Sequence, residues 1–208
     1  MTGESTATEL SPVDRTDEAL AELYALLATA FAKPDEAFVE AVNAGRLQRA
    51  LERHVDRATL EVSIESPPAF DDATAAREGY RRTFSSYGGS FAPPVESVYE
   101  PWHDGRDRGL LAGPAAVDMR RRYEAIDAEL PPGYQPDHIA PLLEYGSLLL
   151  EAGEHDAYER FHREHLEWLP AFRARIEETC DEPFYRWAVR TLETVLDAAG
   201  SAVGVEDQ

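Results

Sequence analysis

The sequence predicts an all-α fold, and three observations carry this prediction. Apolar residues recur at spacings of three and four along most of the 208 residues, which is the pattern of helices with one buried face. Proline and glycine stand between these segments, where helices begin and end. No run of residues alternates between apolar and polar as a half-buried strand does. The length fits one domain whose core needs no covalent staples.

The first half of the chain contains four predicted helices. They cover about 16–31, 34–44, 46–57 and 70–87. Thr16 is the predicted N-cap of the first helix, with Asp17 and Glu18 in a first turn where acidic side chains favour the helix dipole. Residues 1–15 are expected to form a disordered tail.

An irregular stretch, about 90–113, separates these helices from the second half. Its aromatic residues, Tyr99 and Trp102 among them, predict that it packs on the domain. Further helices cover about 114–130, 136–151, 156–172 with a division at Pro170, and 183–199, before a frayed tail at 200–208. Pro141 is expected to kink the helix that contains it or to delay its regular start.

The charge of the chain excludes some classes of partner and suggests an environment. The formal net charge is −20, and Lys33 is the only lysine. A surface this negative argues against binding to duplex nucleic acid. Acidic residues in place of lysine are typical of proteins from salt-rich cytoplasm, where a Debye length of about 3 Å at 1 M screens self-repulsion. We therefore predict a halophilic protein.

Cysteine content and hydropathy restrict the class further. Cys180 is the only cysteine, which excludes an internal disulfide and a zinc site built from four cysteines. No apolar run reaches 18 residues, and the N-terminal residues are polar and acidic, so the sequence predicts neither a transmembrane helix nor a secretory signal. We expect a cytoplasmic protein without stable membrane insertion.

One cluster has the residue types of a metal site. Glu159 and His162 form a Glu-x-x-His pair on a predicted helix, which is half of the motif found in di-iron bundles. A second such pair, Glu100 and His103, lies in the proline-rich stretch and lacks helical geometry. The alternative is that His165 is a histidine at the edge of the core and that His162 lies at the surface.

Two other clusters suggest binding rather than catalysis. In Pro136-Asp137-His138, proline and aspartate suit the start of a helix, whereas a charged histidine there opposes the dipole, so the pKa of His138 should be lowered. The stretch Glu96–Asp104 interleaves carboxylates with aromatic rings, which suits an arginine-containing apolar peptide. The alternatives are a histidine that packs at a helix start and a loop that covers the core. No phosphate-binding loop or nucleophile motif occurs.

Three stretches resemble the TorD/DmsD/NarJ family of redox-enzyme maturation chaperones. The first is the loop at Glu96–Tyr99 that leads to the helix at 114–123. The second is Pro136-Asp137-His138-Ile139 followed by Leu142-Leu143-Glu144-Tyr145, which is similar to the most specific motif of the family. The third is the helix with Phe161, His165, Trp168 and Phe172. Gly146-Ser147 stand where the family often has bulkier residues, and we expect them to loosen the helix locally.

The resemblance implies a fold and a function. The fold is a single helical-bundle domain, about 16–199, whose two halves meet at a hinge at about 131–138. The function is to bind the twin-arginine leader of a molybdenum-cofactor oxidoreductase subunit, of the dimethyl sulfoxide reductase or nitrate reductase type, and to hold the subunit for cofactor insertion. It implies no catalysis and no cofactor of the chaperone's own. The candidate residues for client binding are Glu96, Tyr99, Trp102, Asp104, Asp137, His138 and Glu144.

Two alternatives remain open at the level of the sequence. One is a helical metalloenzyme that uses Glu159, His162, His138 and Glu144. The other is a helical adaptor without specificity for the leader, which would bind twin-arginine and twin-lysine peptides equally.

The charge predicts that folding depends on salt. With 40 acidic and 20 basic residues, dilution exposes unscreened repulsion. We expect a large fall in the melting temperature, or loss of the helical circular-dichroism signal, below about 0.5 M salt. A melting temperature that is the same in molar and millimolar salt would contradict the halophilic prediction.

Overall fold

The computed structural model describes residues 12–85, 91–99, 113–130 and 133–203. The helices within these ranges are α1 (Pro12–Ala30), α2 (Glu36–Asn43), α3 (Arg46–Arg57), α4 (Ala73–Phe84), α5 (Pro114–Ala125), α6 (Ile139–Glu151), α7 (His155–His165), α8 (Leu169–Thr179) and α9 (Pro183–Val203). A 3-10 turn covers Glu96–Val98. The described ranges contain no strand beyond one isolated antiparallel bridge between Val95 and His138. The all-α prediction is confirmed.

Several helix boundaries differ from the sequence prediction. Helix α1 begins at Pro12 rather than at Thr16; proline suits a first helical position because the amide that it lacks would have no partner there. Helix α9 continues to Val203, past the predicted end. Asp72 caps α4, since its side chain accepts hydrogen bonds from the amides of Thr74 and Ala75. Residues 1–11 and 204–208 of the predicted tails lie outside the described residues.

Pro141 delays the start of α6, as expected. The helix begins at Ile139 instead of Pro136, so Pro141 is its third residue. An amide in the first turn has no acceptor within its own helix, and proline therefore removes no hydrogen bond there. Pro170 takes the same kind of position at the start of α8 and divides that helix from α7.

The two central helices, α1 and α6, pack closely because of Gly146 and Ser147. A Cβ atom on Gly146 would lie 2.9 Å from the ring of Tyr24 and 3.3 Å from that of Phe161. The Ser147 hydroxyl donates a hydrogen bond of 2.9 Å to the carbonyl of Ala21. The expectation that these two residues loosen the helix is wrong: they allow α1 to approach α6 and bind it there.

One hydrophobic core joins residues from both sides of the predicted hinge. The ring of Phe31 in α1 contacts Phe84 in α4 and Phe172 in α8, with centroids 6.4 and 6.0 Å apart. The ring of Phe84 also lies 4.7 Å from that of Tyr185 in α9. The aromatic contacts are therefore between residues distant in sequence, and they join α1 and α4 to α8 and α9.

The close approach at Gly146 predicts a stability difference between two glycine substitutions. Gly146→Ala should lower the free energy of unfolding by about 1–3 kcal/mol, because the added methyl group overpacks a contact with a buried ring. Gly79→Ala in α4 is the control: its Cβ atom would meet only the movable end of the Glu182 side chain. The control should be neutral or up to about 1 kcal/mol stabilising through helix propensity. Denaturant unfolding measures both, and equal effects would contradict the packing argument.

Candidate functional site

The segment Pro94–Ser97 is held against the start of α6 by main-chain and side-chain hydrogen bonds, and we call this arrangement the clasp. The amide of Ile139 donates to the carbonyl of Pro94, and the amide of Glu96 donates to the carbonyl of Asp137, both at 2.9 Å. The Asp137 carboxylate accepts from the amide of Ser97 through Oδ2, also at 2.9 Å. The Pro136-Asp137-His138 motif thus joins two parts of the chain about 40 residues apart.

The second oxygen of the Asp137 carboxylate is also buried inside the clasp. The residue is 0% exposed, and its Oδ1 atom has no hydrogen-bond partner among the residues that the structure describes. A buried polar atom without a partner costs about 1–3 kcal/mol.

His138 is the N-cap of α6. Its Nδ1 atom accepts a hydrogen bond of 3.0 Å from the amide of Ala140, and its ring lies edge-on to Tyr134 with centroids 4.7 Å apart. Burial lowers the pKa of His138 to about 4. The predicted lowering of this pKa is confirmed, and burial is its cause.

A buried charge network connects the clasp to α7 and α5. His165 lies between two carboxylates: Nδ1 is 2.8 Å from Glu96 Oε2, and Nε2 is 3.1 Å from Asp118 Oδ2. Arg122 completes the network, because its guanidinium donates to Asp118 and to Glu164. Glu96 and His165 have side chains that are 0% exposed. The network therefore ties the clasp to α7 and α5.

The charges in this network stabilise one another. Burial lowers the pKa of His165, but hydrogen bonds to Asp118 and Glu96 outweigh it, and the net effect raises the pKa. The hydrogen bond to His165 holds the pKa of Asp118 well below its usual range, with a further contribution from Arg122. A histidine can donate to two carboxylates at once only in its charged form. We conclude that His165 is the cation of a buried carboxylate–imidazolium–carboxylate arrangement.

Glu96 and Tyr99 make their described side-chain contacts within the fold. The expectation that Glu96 offers its carboxylate at the surface is wrong, because that carboxylate is buried against His165. The Tyr99 ring stacks on Trp168 with centroids 5.1 Å apart, and its hydroxyl donates to the carbonyl of Pro93. Glu96 therefore affects client binding only by holding the clasp in position. Trp102 and Asp104 lie outside the described residues.

Glu144 is different from the other candidate carboxylates. It lies on α6, half-buried, and no ion pair involving it occurs in the described ranges. Burial raises its pKa. Its charge acts on nearby Tyr123, whose hydroxyl donates to the carbonyl of Pro141 one turn earlier in α6. Glu144 is thus a partly desolvated carboxylate without a cationic partner among the described residues.

The residues of the proposed metalloenzyme are not brought together. Among the described residues, the group with metal-ligand spacing is instead Asp118, Glu164 and His165, whose ligand atoms lie within 4.8 Å of one another. Arg122 already neutralises the two carboxylates of this group. A divalent cation there would lie against a guanidinium, which electrostatics disfavours.

The sequence prediction missed Asp118, Arg122 and Glu164 as members of this network. The alternative that placed His165 at the edge of the core is wrong, because the residue is fully buried. One signal was present: Asp118 and Arg122 are four residues apart on a predicted helix, which is the spacing of an ion pair. Their pairing with Glu164 on another helix has no signal in a single sequence.

No helix in the described part of the chain is long and apolar enough to cross a membrane.

The comparisons with known proteins identify the class. A solved structure from Archaeoglobus fulgidus, assigned as a redox enzyme maturation protein, has the same fold: the TM-score is 0.53 at 21% sequence identity, and the match covers 93% of this chain and 99% of that chain. None of the curated protein sequences matches this chain. The family model described as nitrate reductase delta subunit matches residues 14–174.

The chain therefore belongs to the nitrate reductase delta subunit family, which comprises maturation chaperones of the NarJ/TorD type. The resemblance seen in the sequence is confirmed. The family is one of redox-enzyme maturation chaperones rather than catalytic enzymes.

The charge network predicts opposite pH dependences for two histidines. The folded-state pKa of His165 is raised above 6.5, so its contribution to stability is present below pH 6.5 and is lost as the pH rises through the folded-state pKa. We expect His165→Gln to lower the free energy of unfolding by about 3–5 kcal/mol at pH 6, since it leaves buried carboxylates without their cation, and by less at pH 9.

His54 is the matched control for this measurement. Burial lowers its pKa, so protonation of the unfolded chain destabilises the fold as the pH falls below 6.5. The difference between wild type and His54→Gln should therefore change with pH in the opposite sense. Chemical denaturation from pH 5.5 to 9 measures both differences. A loss from His165→Gln that grows with pH would contradict the charged state of His165.

Proposed function

We propose that this chaperone binds the twin-arginine leader of a molybdenum-cofactor oxidoreductase subunit in the cytoplasm and holds that subunit for cofactor insertion. Family membership supports a redox-enzyme client. The leader-binding function rests on the similarity of residues 136–145 to the family motif and on the chemistry of the residues around it.

Glu144 carries the leader-binding part of the proposal. A half-buried carboxylate has already lost part of its hydration, so a guanidinium that reaches it gains a strong, charge-assisted hydrogen bond. Arginine can pair with both carboxylate oxygens at once, whereas lysine cannot. This geometry provides a reason for selecting arginine over lysine, which a non-specific adaptor would not do.

The strength and the register of binding come from different contacts. A leader offers two arginines and an apolar segment. In molar salt, screening weakens the attraction between charges, whereas burial of apolar surface is retained and is strengthened by kosmotropic salts. We expect the apolar segment to supply most of the affinity, and the pairing of arginine with Glu144 to set the position of the leader on α6.

Glu144 predicts the outcome of a binding titration. At fixed high salt, wild type should prefer a twin-arginine leader peptide to its twin-lysine version. Glu144→Gln should reduce this preference to near unity, because the amide offers one acceptor and no charge. The measurement is isothermal titration calorimetry or fluorescence anisotropy with both peptides.

Glu151→Gln is the matched control, since it removes the same charge from an exposed position at the end of α6. It should leave the preference unchanged. Equal binding of the two peptides by wild type would contradict the proposed function and favour the adaptor. If Glu144→Gln keeps the wild-type preference for the twin-arginine peptide, the group that recognises arginine is not Glu144 and the site lies elsewhere than on α6.

A further inference from the structure

A groove lies between α9 and the segment that joins α3 to α4. Its volume is about 490 Å³, and its lining comes from residues 63–68 on one side and from one face of α9 on the other. A volume of this size is within the range of small-molecule sites, about 300–1,000 Å³. The groove shares no lining residue with the clasp or its charge network. It is therefore a candidate site for a ligand other than the leader.

Hydrogen bonds hold the walls of this groove in place. The indole Nε1 atom of Trp187 in α9 donates to the carbonyl of Glu65 in the opposite wall, at 2.9 Å. The Ser66 hydroxyl donates to the side chain of Gln48 in α3, also at 2.9 Å. Ile64 and Trp187 are each 8% exposed, so they add apolar surface to the lining while they remain packed in the fold. The groove is thus formed before any ligand binds, and its apolar part suits the carbon body of a ligand.

The charged residues of the lining favour an anion. Arg186 and Arg190 line the groove together with one carboxylate, that of Glu65. The lining therefore carries more positive than negative charge, in a chain whose net charge is −20. The two arginines lie four positions apart on α9, where like charges are neighbours and repel each other. An anion that contacts both guanidinium groups would remove this repulsion.

Both guanidinium groups are anchored through Nε. Arg186 donates from Nε to the carbonyl of Cys180 at 2.6 Å, and Arg190 donates from Nε to Oε1 of Glu177 at 2.9 Å. A guanidinium has five N–H donors, so each anchor leaves donors on the terminal nitrogens. The Arg190 side chain is 62% exposed. Its position is therefore fixed by Glu177 while its other donors remain accessible to a ligand in the groove.

The donors of the lining define the chemistry of the ligand. Phosphate and carboxylate groups accept two parallel hydrogen bonds from a guanidinium, and the hydroxyls of Ser63 and Thr191 in the lining offer further donors. A bare inorganic ion would occupy little of the groove, and molar salt would screen its attraction to the arginines. Apolar contact with Ile64 and Trp187 is not weakened in this way. The groove therefore fits an organic anion that also has an apolar body.

We propose that this groove binds a small organic anion, whose phosphate or carboxylate groups pair with Arg186 and Arg190 and whose apolar body packs on Ile64 and Trp187. The proposal does not rest on leader binding, since a pair of arginines in the lining repels the arginines of a leader. It gives the chaperone a small-molecule site in addition to the client site at α6.

Three probes with the same aromatic ring test the proposal on the full chain. They are phenyl phosphate, phthalate and the neutral benzyl alcohol, each titrated by isothermal titration calorimetry at one fixed, high concentration of potassium chloride. We expect saturable binding of at least one anion and none of benzyl alcohol. The tighter of the two anions identifies phosphate or carboxylate as the group that the arginines hold. Binding of neither anion, or of benzyl alcohol as tightly as the anions, would overturn the proposal.

Two substitutions should change the affinity for the tighter probe in opposite directions. Arg190→Gln should weaken binding about tenfold, because it removes a charge-assisted pair of hydrogen bonds. Glu177→Gln should strengthen binding about threefold, because it removes a carboxylate that competes for the same guanidinium. Arg120→Gln is the matched control, since it removes the same charge from an exposed position on α5 outside the groove, and it should leave the affinity unchanged.

An equal loss from Arg120→Gln would overturn the proposal, because the probe would then respond to the overall charge of the chain. Weaker binding by Glu177→Gln would also overturn it, because Arg190 would then not be the group for which the probe and Glu177 compete. The leader-peptide titration is a separate measurement, so failure of one proposal leaves the other standing.

A second measurement locates the site in the wild-type chain. The chain has three tryptophans, and proton–nitrogen correlation spectra give one indole N–H signal for each. Trp187→Phe assigns the signal of Trp187, whose Nε1–H lies at the groove. We expect this signal to shift when the tighter probe is added and the other two to stay in place. A Trp187 signal that does not move at saturation would overturn the proposal.

Discussion

The burial of the Glu96 carboxylate against His165 is the interaction on which the site depends. Two fully buried groups of opposite charge must find each other, since either one alone would be unstable in the core. Their pairing ties the segment Pro94–Ser97 to α7, and Asp118 extends the tie to α5. From its other side the same segment is bound to the start of α6 by Asp137. Three helices and one irregular segment thus meet around a single imidazolium.

This arrangement gives the Asp137-His138 motif two roles on two sides. On the inner side, Asp137 binds the amide of Ser97 and His138 caps α6. On the outer side, we propose that the motif takes part in binding the client leader. Substitution of His138 by alanine does not separate the two roles, because loss of an N-cap alone lowers the free energy of unfolding by about 0.5–2 kcal/mol. Replacements that preserve the cap are needed to separate stability from binding.

Charged side chains contribute differently to stability and binding at the surface and at the site. Most of the acidic excess lies in exposed side chains, whose interactions are weak and are screened by salt. The buried network is screened much less, and its carboxylates have specific cationic partners. Glu144 stands between these cases, because it is partly desolvated but has no partner in the described ranges. In a salt-rich environment, such a position retains more of its attraction for a cation than a fully exposed one does.

The sequence by itself determined the helical class, most helix positions and the delayed start of α6 at Pro141. These are consequences of local rules: apolar periodicity, the missing amide of proline and the preferences of helix starts. The motif around Asp137 and His138 could also be selected from the sequence, through its resemblance to the family. The sequence could not show which of the candidate carboxylates face inward.

Only the tertiary structure decided that Glu96 is a buried partner of His165, that Arg122 neutralises Asp118 and Glu164, and that Gly146 is a contact point for Tyr24 rather than a weak point of α6. Each of these facts depends on side chains tens of residues apart, or more than a hundred for Tyr24 and Gly146, and a periodic pattern carries no information about which helix faces which. The same residue types are compatible with an exposed acidic loop. Packing removed the segment Pro94–Ser97 from solvent, and burial changed the chemistry of the Glu96 carboxylate.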